Sequence, residues 1–176
     1  ALVGCGGIAG AHLRSYKELI SKGETRFRIV ATVDNVQSKA REHAERAQEL
    51  TGEPVRAYRT VNQLLNGEKK LDGADICSPH GLHHVLGCEL LKGGVNILCE
   101  KPIGITVKAT KKIIAAAKRA KKIAATAEQC RRSIGQRSIH WAFNKSGLLG
   151  DPRLWYAISS GWQDPSTVRN WAWRAD

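Results

Sequence analysis

Three apolar residues, Ala1-Leu2-Val3, run directly into Gly4-Cys5-Gly6-Gly7-Ile8-Ala9, and a helical repeat follows. Few folds accommodate a strand that enters a glycine turn and leaves it as a helix. In a dinucleotide-type turn the first glycine, Gly4, makes the tight bend and the second, Gly6, lets a backbone approach a pyrophosphate. The small third position, Ala9, permits close packing of helix on strand. Anions settle over such a helix start because its first N–H groups are free and the helix dipole favours negative charge. Gly4, Gly6, Gly7, Ile8 and Ala9 are therefore candidate contacts for a phosphate-bearing cofactor. By itself the turn also suits other nucleotide-binding α/β domains, an S-adenosylmethionine methyltransferase among them. Val3 stands where those commonly place an acidic residue, which counts against that class.

The rest of the chain extends the pattern. Helical spacing over Ile8 to Lys22 ends at Gly23, and Phe27 to Val33 reads as a β-branched strand ending at Asp34. Gln37 to Thr51 is helical. Val55 to Tyr58 is a short strand, Val61 to Leu65 a small helix, and Ala74 to Cys77 a strand closed by Ser78-Pro79. A helix over Leu82 to Lys92 stops at Gly93-Gly94. A strand over Val95 to Cys99 then leads into Glu100-Lys101-Pro102, followed by a helix over Val107 to Lys122 and a strand over Ile123 to Thr126. Strand and helix alternating through short connections predict an α/β fold: a Rossmann-type, doubly wound parallel sheet with right-handed crossovers over residues 1–127. From Glu128 the character changes. Residues 128–176 hold all five tryptophans and a further strand expected over Leu154 to Ile158, and they read as the incomplete start of an α+β second domain.

Composition excludes several classes. Apolar content of 42% argues for a packed core, and no apolar run approaches the roughly 20 residues that span a bilayer. No membrane role and a cytoplasmic location are expected. The first residues already read as a buried strand and the chain has no Met, so it is expected to be a piece clipped at both ends. The net charge of +12 lies largely on the helix over 107–122, with Ile113, Ile114 and Ala117 expected to face the sheet and the lysines water. Aromatic interleaving and recognition motifs are lacking there, so no nucleic-acid partner is expected. Cys5, Cys77, Cys88, Cys99 and Cys130 have neither CxxC nor metal-ligand spacing. They are expected to be reduced, with no metal bound.

Open parallel sheets bind ligands at the carboxyl ends of their strands. Asp34 ends the second strand, where a carboxylate accepts hydrogen bonds from ribose hydroxyls and repels a 2′-phosphate. NAD is thus expected as cofactor, with NADP kept open by the nearby Lys39 and Arg41. Lys101 follows the fifth strand, where it would reach a bound ligand.

Taken together, Gly4-Cys5-Gly6-Gly7-Ile8-Ala9-Gly10-Ala11-His12, Asp34, Ser78-Pro79-His80-Gly81-Leu82-His83 and Glu100-Lys101-Pro102 resemble the glucose–fructose oxidoreductase/inositol dehydrogenase/MocA family. Glu128 to Arg132 looks like that family's return into its second domain, and Trp173 to Asp176 like the segment upstream of its glycine-rich catalytic stretch. The resemblance implies an NAD(P)-dependent oxidoreductase interconverting alcohol and carbonyl on a sugar, polyol or cyclitol. Some relatives instead use bound NAD to assist glycosidic bond cleavage, and a non-catalytic dinucleotide-binding protein is a further alternative. Lys101 is implied as the catalytic residue that stabilises alkoxide-like charge, with Glu100 orienting it or the nicotinamide ribose. A cis Lys101–Pro102 bond is expected, since only proline makes that isomer accessible. Ser78, Pro79, His80 and His83 would line the cofactor site, with His80 departing from the family's asparagine. His12 is expected to be structural, and Arg131 and Arg132 to face the substrate or the domain junction. The family's catalytic aspartate and histidine lie downstream of Asp176, so this stretch alone is expected to bind cofactor and turn over poorly. A homo-oligomer formed through the second-domain sheet is also implied.

Overall fold

A computed structural model describes residues 1–151 together with Arg153, Leu154, Tyr156 and Ile158. The chain divides into two compact units, Ala1–Ala127 and Glu128–Asp176. The first is a parallel six-stranded sheet. Its strands are β1 (Leu2–Val3), β2 (Ala31–Val33), β3 (Arg56–Tyr58), β4 (Gly73–Ile76), β5 (Asn96–Glu100) and β6 (Ala124–Ala127), arranged in the order β3-β2-β1-β4-β5-β6. Helices α1 (Gly7–Ser21), α2 (Gln37–Thr51), α3 (Val61–Gly67), α4 (His83–Lys92) and α5 (Val107–Ala120) alternate with them. The chain order reverses direction between β1 and β4, so a crevice opens at the carboxyl ends of those two strands.

Each strand sends alternate residues to opposite faces, and the core divides accordingly. Val3, Val33, Ile76, Ile97 and Cys99 join Leu64 of α3, Leu90 and Leu91 of α4 and Ile113 of α5 in the larger cluster. Leu2 and Cys77 join Ala9 and Leu13 of α1 and Ala47 of α2 in the smaller one. Full burial of a Leu or Ile contributes about 1.5–3 kcal/mol relative to exposure, so the larger cluster dominates the stability of this unit.

Two expectations need correction. The second strand begins at Ala31 rather than Phe27, because the ladder reaches no further: Thr32 and Val33 pair with Leu2 and Val3, and Ala31 to Val33 pair with Arg56 to Tyr58. Phe27 instead packs its ring 5.3 Å from that of Tyr16. On α5, Ala109, Ile113 and Ala116 face the sheet while Ile114 is 47% exposed. A register at 109, 113 and 116 follows the helical period, and it turns Ile114 toward solvent.

In the second unit Ser133 caps α6 (Ile134–Asn144) by accepting from the backbone N–H of Gln136. Part of the strand expected over 154–158, and all of 173–176, lie outside the described residues. Among the described residues no helix is long and apolar enough to cross a membrane.

Candidate functional site

The register of the central strands sets the site. Val3 pairs with Ile76, and Ile76 with Cys99, so the residues that follow, Gly4, Cys77 and Glu100, the last of these still paired with Ala127, stand at one level of the carboxyl edge. Gly4 turns with φ +89°, and a Cβ there would lie 2.6 Å from the backbone nitrogen of Ser78. Only glycine meets both demands. At Gly6 the situation is the reverse: φ is −99° and an added Cβ would meet no atom within 4 Å. Nothing in the protein requires glycine there, and the space in front of the helix is left open.

That opening faces the start of α1. Gly6 offers α1 no side-chain cap, as Val36 and Leu82 offer none to α2 and α4, while Thr60, Thr106 and Ser133 cap α3, α5 and α6 with side-chain hydrogen bonds. The leading N–H groups of α1 thus remain available to an anion. Gly7 and Ile8 lie on this exposed first turn, while Ala9 is fully buried against the sheet. A dinucleotide pyrophosphate fits these features: an unfilled cradle at Gly6 over an uncapped helix start.

Asp34 braces the turn from β2. One carboxylate oxygen accepts from the Cys5 N–H at 2.8 Å, the other from the Val36 N–H at 2.8 Å. Each oxygen keeps a second lone pair for another donor. Burial, reinforced by the Asp34 charge, pushes the Cys5 thiol up to about 12.

Ser78 and Pro79 form the turn after β4. A single 3₁₀ turn, His80–Leu82, connects it to α4. His83 is fully buried, with Nδ1 2.7 Å from the Pro102 carbonyl and Nε2 2.8 Å from the Ser78 carbonyl. Both ring nitrogens are occupied. This placement argues for holding the Ser78 and Pro102 turns together from beneath, and against the direct cofactor contact expected of His83. His80 is half-buried with its ring edge-on to His83, centroids 5.6 Å apart.

Lys101 is exposed at the end of β5, and the Lys101–Pro102 bond is cis. Its backbone N–H donates to Glu100 Oε2 at 3.0 Å, so Glu100 fixes the main chain that presents the lysine. Among the described residues no partner takes up the Lys101 ammonium.

Sequence reasoning missed the group beneath this surface. Asp75, 6% exposed in the middle of β4, accepts from His12 Nδ1 at 2.7 Å and from the Tyr16 hydroxyl at 2.7 Å. His12 Nε2 lies 3.0 Å from Glu100 Oε1. The signal was present: a carboxylate inside the otherwise apolar Ala74-Asp75-Ile76-Cys77 strand demands a partner. His12, Asp75 and Cys77 also stand close enough to share a cation, but the two carboxylates already take both His12 ring nitrogens. The five cysteines are free.

Comparison with known proteins places this architecture. Residues 1–128 match the Gfo/Idh/MocA family, described as an oxidoreductase family with an NAD-binding Rossmann fold. The rhizopine catabolism protein MocA of Rhizobium meliloti is 28% identical over 111 residues, which is 63% of this chain and 31% of that protein. Among solved structures, the WlbA dehydrogenase from Bordetella pertussis, in complex with NADH and UDP-GlcNAcA, aligns with a TM-score of 0.70 at 24% identity, over 85% of this chain and 42% of its own. The myo-inositol 2-dehydrogenase from Lactobacillus plantarum aligns with a TM-score of 0.69 at 20% identity, over 85% and 41%. The chain thus spans about a third of the curated relative and two fifths of these structures, whose likeness at such identity speaks for the fold. With a profile match over most of its length and a glycine turn, switch point and uncapped helix to carry it, the chain belongs to the Gfo/Idh/MocA oxidoreductase family, and its first unit is that family's NAD-binding Rossmann fold.

Proposed function

We propose that the protein interconverts an alcohol and a carbonyl on a sugar, polyol or cyclitol, with Lys101 as a catalytic residue and NAD preferred over NADP. The observation that carries this reading is the contrast within Lys101: its backbone is fixed by Glu100 while its ammonium has no described partner, at the carboxyl end of a strand next to the switch point. The sugar-nucleotide and inositol dehydrogenases among the structural neighbours support the substrate class.

Bound NAD supplies the hydride acceptor. The amides at the start of α1 and the turn at Gly4 and Gly6 hold the pyrophosphate, and Asp34 accepts from the adenosine ribose, where its charge disfavours a 2′-phosphate. Ser78, Pro79 and His80 border the same crevice. Lys101 would donate to the substrate oxygen and stabilise the alkoxide charge left on it when the hydroxyl proton passes to solvent; that charge is consumed in forming the carbonyl as hydride departs from carbon, and it builds again when hydride arrives in the reverse direction. The braced main chain fixes the point from which the lysine side chain reaches toward the substrate.

The test is a screen of polyols, aldoses and sugar nucleotides with NAD on the full-length protein, followed by NADH absorbance, with Lys101→Met in parallel. Formation of NADH by the wild type and its loss in the variant support the reading. Release of free sugar with no net NADH would replace it by the NAD-assisted glycosidase.

A further inference from the structure

We propose that His12 is a positioning residue for Lys101, bridging Asp75 and Glu100 so that the far oxygen of Glu100 is aimed at the Lys101 backbone N–H. This rests on the reading of Lys101 as the group that meets substrate.

Carboxylates only accept, and His12 places one ring nitrogen on each: Nδ1 on Asp75 at 2.7 Å and Nε2 on Glu100 at 3.0 Å. Both nitrogens must donate, which makes the ring an imidazolium. The hydrogen bond to Asp75 raises the His12 pKa above the ordinary histidine range against the opposing effect of burial, and Glu100 adds to the rise. The groups facing the ring are Tyr16 on its own helix, Asp75 and Cys77 from β4, and Glu100 from β5. Tyr16, one helical turn on from His12, donates to the same Asp75 oxygen, so two rungs of α1 grip β4.

Glu100 is the hinge of the arrangement. Only 7% exposed, it divides its oxygens between His12 and the Lys101 amide. Removing the imidazolium leaves a buried carboxylate with one partner gone, and the side chain is then free to rotate toward water. The helix whose start faces the cofactor phosphates and the strand end that carries the lysine are thereby joined through one ring. A ring that served packing alone would not need both carboxylates, and its loss would not be felt at Lys101.

The sign of the pH response follows. With the pKa raised in the folded state, the bridge is complete below the ordinary histidine range and is lost as pH rises through the raised value. The Lys101 amide, one hydrogen bond beyond Glu100, should report that loss.

The experiment follows the Lys101 amide by ¹H–¹⁵N NMR across a pH series in wild type, His12→Gln and Glu100→Gln, alongside far-UV CD, NADH affinity and kcat on the best alcohol. A glutamine at position 12 carries both its donors on one nitrogen and an acceptor oxygen beside it, so it does not reproduce the two spaced N–H groups of the ring. In the wild type the Lys101 amide should show an inflection at the raised His12 pKa. In His12→Gln the inflection should vanish, the amide proton should move upfield, and kcat should fall about ten- to a hundredfold with NADH affinity changed less than about threefold, a difference below 1 kcal/mol. Glu100→Gln, which keeps the side-chain shape, should reproduce the loss of inflection. An unchanged Lys101 amide in folded His12→Gln, or an inflection that persists in either variant, would overturn the proposal. If instead the amide responds as stated but Lys101→Met retains full activity, the catalytic assignment of Lys101 falls and with it the positioning role, while the hydrogen-bond relay stands as a structural fact.

Discussion

The turn after β1 and the turn after β4 come so close that a Cβ on Gly4 would sit 2.6 Å from the Ser78 backbone nitrogen. Side chains can rotate away from such a clash. Backbone at the core of a parallel sheet cannot, because Cys77 N is already bonded to Val3 O at 2.7 Å.

Gly4→Ala should therefore lose about 3 kcal/mol or more, combining the unfavourable positive φ with overpacking against main chain. Gly6→Ala, in open space, should stay within about 1 kcal/mol of wild type yet bind NADH about tenfold or more weakly, since its methyl enters the cofactor cradle. Urea denaturation and NADH fluorescence titration of the two variants should give these opposite rankings.

Asp34 holds the Cys5 and Val36 amides at the carboxyl end of β2. Asp34→Ser should weaken NADH binding by about tenfold, as expected for losing a charged hydrogen bond worth about 1.5 kcal/mol, and should narrow the gap between NADH and NADPH. Parallel titrations with the two cofactors check this, and an unchanged preference would remove Asp34 as the selecting group.

Lys101→Met should lower kcat by about a hundredfold or more while leaving NADH affinity within about threefold, because the ammonium acts on charge that develops during the reaction. Steady-state kinetics combined with direct binding separate the two effects.

On α5, Ile113 is fully buried and Ile114 is 47% exposed. Ile113→Ala should cost about 3 kcal/mol by leaving a cavity, and Ile114→Ala less than about 0.5 kcal/mol. Equal effects in thermal unfolding would mean that the helix is rotated so that both isoleucines meet the sheet alike.

Thiol reactivity should follow burial. Cys130 is exposed, Cys88 half-buried, and Cys5, Cys77 and Cys99 buried. Burial raises the last three, Cys5 and Cys99 to about 12, so at neutral to mildly alkaline pH only about one in 10⁴ or fewer of those two is thiolate. Ellman's reagent should label Cys130 rapidly, Cys88 slowly and the other three only after denaturation.

Much of the fold was legible in the sequence because the signals that specify it are local. Hydrophobic period, glycine stops and β-branched runs located every strand and helix of the first unit. The α2 helix falls on Gln37–Thr51 as its spacing implies. Gly4, Gly6 and Lys101 could likewise be picked out, since a turn and a strand end announce themselves within a few residues. Phe27 could not be assigned that way: it has strand-forming character, but a strand exists only where neighbours offer backbone to pair with, and β1 and β3 offer it from Ala31 onward. Ile114 failed similarly, since which of two adjacent isoleucines turns fully inward is set by the helix's rotation on what it packs against.

Sequence alone determined the parallel α/β architecture, the glycine turn and the placing of a lysine at the end of the fifth strand, because each depends on residues close together in the chain. Tertiary structure alone decided that His12, Asp75 and Glu100, 63 and 88 positions from the histidine, share one ring. No local pattern encodes that meeting: it arises where α1 crosses β4 and β5, and a buried carboxylate finds its partner only once the sheet has been assembled.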